Sequence, residues 1–89
     1  MQLSQILYEI KVNGDLNCLR DLMRDEQIKN VLSGVCKRHK CKADVARELL
    51  VDYTVRCYRY DDNFTEERYL NNVRKYLGRR VKQLNGRDL

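Results

Sequence analysis

Residues Cys41 to Val81 read CKADVARELLVDYTVRCYRYDDNFTEERYLNNVRKYLGRRV, and this stretch decides the fold. Ala46, Leu49, Leu50, Tyr53, Cys57 and Tyr60 recur every three or four residues. That spacing predicts one unbroken helix over about Asp44 to Tyr60, with those six residues on its inner face. Asp61-Asp62-Asn63 reads as an acidic connector. Thr65 followed by Glu66 and Glu67 is a helix start, because a hydroxyl caps free amides and carboxylates suit the positive end of the dipole. The last helix is expected to bury Leu70, Val73, Leu77, Val81 and Leu84, with Asn85-Gly86 ending it. Gly78 inside it points to close packing or a slight bend, since glycine there costs about 1 kcal/mol relative to alanine.

Working outward, Leu3, Ile6, Leu7 and Ile10 form an apolar stripe on a first helix over residues 2–12. Asn13-Gly14 breaks it, and Asp15 caps a short second helix patterned by Leu16, Leu19, Leu22 and Met23. Asp25 and Glu26 open a third, whose apolar residues are Ile28, Val31, Leu32, Val35 and Cys36, while Ser33 and Gly34 lie on its other side. Lys37 to Lys42 is a basic end that holds the only histidine, His39.

These elements compose an all-α single domain over 1–89, a bundle of four to five helices. Eighty-nine residues are too few for two independent cores. The chain has no proline and only four glycines, which removes the turn chemistry that small all-β domains need. No apolar run approaches the roughly 20 residues that span a bilayer. The four cysteines, with no secretory leader in front of them, are expected as reduced thiols in a cytoplasm.

The net charge of +5 permits an acidic partner without choosing it. From Thr65 to Leu89, seven basic residues stand against three acids, which is most of that excess. Arg68, Arg74, Lys75, Arg79 and Lys82 form the outer face of the last helix and are the candidate contacts to nucleic-acid phosphate or an acidic partner. On the fourth helix, Asp44, Glu48 and Asp52 are the candidate protein-docking face. Tyr53, Tyr58, Tyr60, Tyr69 and Tyr76 are expected to pack in the core with hydroxyls at the rim, or else to form a stacking platform beside the arginines.

Cys36, His39 and Cys41, with Cys18 or Cys57, are the one set with zinc-like chemistry, but the spacing matches no standard knuckle. Cys18, Cys36 and Cys57 fall on apolar faces, where free cysteine packs as a small hydrophobe. No metal or cofactor is expected. Nor is an enzyme, since no glycine-rich oxyanion loop accompanies the Cys36–His39 pair.

Asn13-Gly14-Asp15 to Gly86 resembles region 2 of bacterial sigma factors, the helical domain that docks on RNA polymerase. Asn13-Gly14-Asp15-Leu16 before Leu19-Arg20-Asp21-Leu22 looks like that family's opening helix. Ala43-Asp44-Val45-Ala46-Arg47-Glu48-Leu49 is similar to its acidic polymerase-docking helix, with Arg47 where glutamine is usual. Arg59-Tyr60-Asp61 and Phe64 resemble the close of that helix. The resemblance implies that the helix through Tyr69-Leu70 to Arg80 meets promoter DNA, although the family's melting tryptophans are absent and a complete promoter-reading factor is not expected at this length. Asp44-Val45-Ala46-Arg47-Glu48-Leu49 followed by Thr54-Val55 also looks like a helix-turn-helix, with Leu50 in place of the turn glycine. In size, charge and lack of proline the chain further looks like small phage accessory regulators, including cytoplasmic antiholins that bind a holin near the membrane.

Overall fold

A computed structural model describes residues 2–61 and 65–87, with only the backbone of Arg87. Among these residues the chain forms five α-helices and two 3-10 turns, with no strand. The helices are α1 (Leu3–Asn13), α2 (Leu19–Arg24), α3 (Glu26–His39), α4 (Ala43–Arg56) and α5 (Glu66–Arg87).

Local chemistry sets most of the boundaries. Gly14 ends α1 in the left-handed region at φ 65°, a conformation glycine adopts without a Cβ penalty. The Asp15 carboxylate accepts the Asn17 amide at 3.0 Å and starts a 3-10 turn over Leu16–Cys18, so the second helix begins later than its apolar spacing predicts. Leu16 is consequently exposed while Leu22 is fully buried. Asp25 accepts the amides of Gln27 and Ile28 and caps α3. Thr65 accepts the Arg68 amide and caps α5.

One core joins all five helices. It contains the expected residues of α1 (Leu3, Ile6, Leu7, Ile10), of α3 (Ile28, Val31, Leu32, Val35) and of α5 (Leu70, Val73, Leu77, Val81), with Leu84 packed at its edge.

The expected continuous helix to Tyr60 is corrected. α4 stops at Arg56 and the chain tightens into a 3-10 turn over Tyr58–Tyr60. A tighter turn advances the side chains by a different angle per residue, so the apolar phase slips. Tyr58 turns inward to 2% exposure, whereas Cys57 is exposed and Tyr60 stands 75% exposed. Lys11 of α1 holds this turn: its ammonium donates to the Tyr58 carbonyl at 2.7 Å and lies 4.8 Å from the Tyr58 ring centre. The turn that the helix-turn-helix resemblance needs at Leu50 is not formed, because α4 runs unbroken through that residue.

The end of α5 is also corrected. Asn85 and Gly86 lie inside the helix, which continues to Arg87. The Asn85 amide donates to the His39 carbonyl at 2.9 Å and satisfies an orphan acceptor at the end of α3. The rest of the expected connector, Asp62 and Asn63, and Phe64 after it, lies outside the described residues.

α5 has two neighbours in opposite orientations. Gln27 donates to Glu66 at 2.6 Å, and three turns further on His39 packs on Gly78, so α3 and α5 run parallel. Thr54 meets Tyr69 while Asp52 meets Tyr76, so α4 and α5 run antiparallel.

Candidate functional site

The parallel seam of α3 and α5 carries an uneven charge. At its starting end Gln27, Glu66, Glu67, Leu70, Asn71 and Arg74 line a shallow depression. At its far end Arg38 and His39 of α3 face Arg74, Lys75, Gly78, Arg79 and Lys82 of α5 across a surface furrow of about 550 Å³. A smaller recess of about 80 Å³ continues it past Gly34, Val35 and Asn30. Among the described residues no carboxylate lines either part.

Small residues make this furrow. Gly34 has nothing within 4 Å of where a Cβ would stand, so the α3 side is open. A Cβ on Gly78 would come 3.3 Å from His39 Nε2, so the imidazole lies close over the α5 backbone. The close packing expected of Gly78 is therefore present, with His39 as the neighbour.

Of the five predicted basic contacts, Arg74, Lys75, Arg79 and Lys82 are brought together in the furrow. Arg68 is not. It lies at the start of α5, where its Nε donates to the Asp61 carboxylate at 3.0 Å. Arg38 is the furrow residue that the sequence reading left without a role. The basic run 37–42 was visible, but only the parallel register of α3 and α5 turns Arg38 toward Arg74.

Asp44, Glu48 and Asp52 follow one another at four-residue spacing along α4, which places them on one stripe. Asp44 pairs with Arg47 at 3.2 Å, both of them exposed, and Glu48 is exposed. Asp52 has a structural occupation. It accepts the Tyr76 hydroxyl and pairs with Arg56 Nε at 2.9 Å, leaving its side chain 28% exposed. The same hydrogen bond and burial raise the Tyr76 phenol above its ordinary pKa, burial being the larger cause.

The tyrosines divide. Tyr53, Tyr58 and Tyr69 are core residues, and the hydroxyls of Tyr58 and Tyr69 lie inside rather than at the rim. The zinc-like set is pulled apart: Cys36 and Cys41 touch each other with sulfurs 3.6 Å apart, while the His39 ring lies on α5. Cys57, expected on an apolar face, is exposed. Among the described residues no group of three or more His, Cys, Asp or Glu could hold a metal ion, and no helix is long and apolar enough to cross a membrane.

The furrow thus gathers hydrogen-bond donors and positive charge, the chemistry that suits an anion. No family model, curated protein or solved structure matches the chain.

Proposed function

We propose that this chain is a non-enzymatic regulatory binding protein that holds an anionic partner in the α3–α5 furrow and docks on a larger protein through α4. One observation carries the reading. Five positively charged side chains, from two helices, converge on a single furrow with no carboxylate lining it among the described residues. Surface charge that merely solubilises a domain is interspersed in sign. A single-sign groove raises the local concentration of an oppositely charged partner.

The resemblance to sigma region 2 supplies the named partners. RNA polymerase would take the Asp44–Glu48–Asp52 stripe, and DNA phosphates would lie along Arg38, Arg74, Lys75, Arg79 and Lys82. Asp52 also braces Tyr76, so the clean test reverses charge at Asp44 and Glu48. Nuclease-treated capture on purified polymerase should be lost in the Asp44→Lys, Glu48→Lys variant, with the helical signal unchanged. Undiminished capture would sink the polymerase assignment.

A second reading keeps the furrow and changes its occupant. No tyrosine lines the furrow, so the tyrosine stacking platform is not part of it. An acidic segment of a protein, as in a small phage-type regulator acting on a membrane-associated partner, fits the same charges. Salt separates the two. Binding to duplex DNA should weaken steeply and log-linearly with salt. A protein partner captured stoichiometrically while duplex affinity stays weak would favour the second reading.

A further inference from the structure

The cysteines at the junction of α3 and α4 have no part in the furrow chemistry. Cys36 lies in the last turn of α3 and Cys41 two residues before α4. Between them Lys40 takes the left-handed conformation at φ 52°, which few residues other than glycine adopt and which folds the chain back on the helix end. The fold-back places the Cys41 sulfur 3.6 Å from that of Cys36. This is van der Waals contact, and a disulfide needs a further approach to about 2.05 Å. Both residues are half-buried, in contrast to buried Cys18 and exposed Cys57.

Access is uneven between the two. Cys36 lines a surface groove of about 360 Å³ with Met23, Leu32, Ser33 and Ala43, and Cys41 does not. Burial, and then the neighbouring Cys36, push the Cys41 thiol up to about 11. Cys41 is thus a poor first nucleophile, yet it is held beside the atom that a reagent entering the groove reaches.

We propose that Cys36 and Cys41 form a built thiol–disulfide modification site, with Cys36 attacking and Cys41 resolving, whose co-reactant is a small-molecule disulfide of the glutathione class. In the first step the Cys36 thiolate attacks one sulfur of oxidised glutathione. A Cys36–glutathione disulfide forms, the glutathione S–S bond breaks, and one glutathione leaves as thiolate. In the second step Cys41 gives its proton to solvent and attacks the Cys36 sulfur of that mixed disulfide. The Cys36–Cys41 bond forms and the second glutathione leaves. Two protein thiols are oxidised by two electrons, and one oxidised glutathione is reduced to two thiols. The product closes the Lys37–Lys40 turn covalently and fixes the basic end of α3 next to the furrow.

The test uses the full chain with oxidised glutathione, acid quench, alkylation and intact-mass and tryptic analysis. Trypsin cuts at Lys37, Arg38 and Lys40, so a Cys36–Cys41 bond leaves two otherwise separate peptides joined. The expected result is a chain lighter by two hydrogens with those peptides linked, and no accumulating adduct on Cys36. In Cys41→Ser the same treatment should stop at a stable glutathione adduct on Cys36, about tenfold or more above its level in the native chain. A native chain that keeps the Cys36 adduct as Cys41→Ser does, or that reacts at Cys57 alone, would overturn the proposal. Circular dichroism of Cys41→Ser establishes that the comparison is between folded chains. None of these readouts depends on the furrow's partner, so the two proposals fail separately.

Discussion

The two seams of α5 solve opposite problems with one helix. Against α4 it is sealed by aromatic rings. Tyr69 packs edge-on to Tyr58 with ring centres 4.8 Å apart, and Tyr53 lies 5.8 Å from Tyr69 and 5.4 Å from Tyr76. Thr54 donates to the Leu50 carbonyl at 2.8 Å, which leaves its oxygen to accept the Tyr69 hydroxyl at 2.7 Å. Against α3 the same helix also buries apolar residues, Val73 and Leu77 among them, but the outer edge of that seam is an open furrow lined by glycine and cations. Stability and binding are thereby placed on different sides of α5.

The strongest way to break this comparison is at Tyr69, which is 1% exposed. Tyr69→Ala removes a buried ring from three-way aromatic packing and should cost about 3–5 kcal/mol in chemical denaturation, a large share of the stability of an 89-residue domain. A loss of less than 1 kcal/mol would mean that the seam is looser than its geometry.

The next effect distinguishes two buried hydroxyls. Tyr69→Phe should cost about 1 kcal/mol, because it removes a satisfied hydrogen bond. Tyr58 is the contrary case: its hydroxyl is buried with no hydrogen-bond partner among the described residues. Tyr58→Phe should therefore be neutral or stabilising by about 1 kcal/mol, and the ring still receives Lys11. Alkaline pH gives the same contrast a sign. Burial raises both phenols, Tyr58 to about 12 and Tyr69 further. The unfolded chain loses these protons near its ordinary value of about 10, while the folded chain retains them. Their contribution is whole below about pH 10 and is lost as pH rises toward 12. Either Phe variant should flatten that decline in denaturation midpoints taken between pH 9 and 11.

The apolar stripes can be read along the chain, the turn after α4 and the furrow cannot, and the reason is physical. Apolar period and helix-start residues are local, so the stripes of α1, α3 and α5, the start of α3 at Asp25 and the cap at Thr65 can be read from the sequence. Spacing fails where hydrogen-bond geometry changes. The 3-10 turn after Cys57 moves burial from Cys57 and Tyr60 to Tyr58, and nothing in the period announces it. The end of α5 was hidden for another reason: Asn85 reads as a breaker until His39, 46 residues away, accepts its amide. The furrow is non-local in the same sense. Charge counting finds the basic residues of α5, but Arg38 joins them, and Arg68 leaves them for Asp61, only through packing.

The two helix glycines give a smaller test. Gly34→Ala enters open space and should gain up to about 1 kcal/mol from helix propensity. Gly78→Ala must displace the His39 ring by a few tenths of an ångström and should gain distinctly less. Equal gains in thermal or urea midpoints would mean that His39 does not rest on α5.

The smallest effect on stability is expected at the furrow itself, and there the absence of an effect is informative. Arg74 and Arg79 are exposed and lie on the open side of α5. Arg74→Gln with Arg79→Gln should change unfolding free energy by no more than about 0.5 kcal/mol, as for ordinary surface positions. In duplex DNA titrations, however, the slope of log affinity against log salt should fall by about 2, one counterion for each lost phosphate contact. Arg68→Gln is the matched control. It removes a cation from the same helix, but one already held by Asp61 and outside the furrow, so the slope should stay where it is. If Arg68→Gln weakened binding as much as a furrow substitution, the whole outer face of α5 would be the binding surface, and the seam with α3 would lose its special role. If the double variant instead unfolded easily, the open seam would be contributing to the fold, and the division of labour across α5 would be wrong.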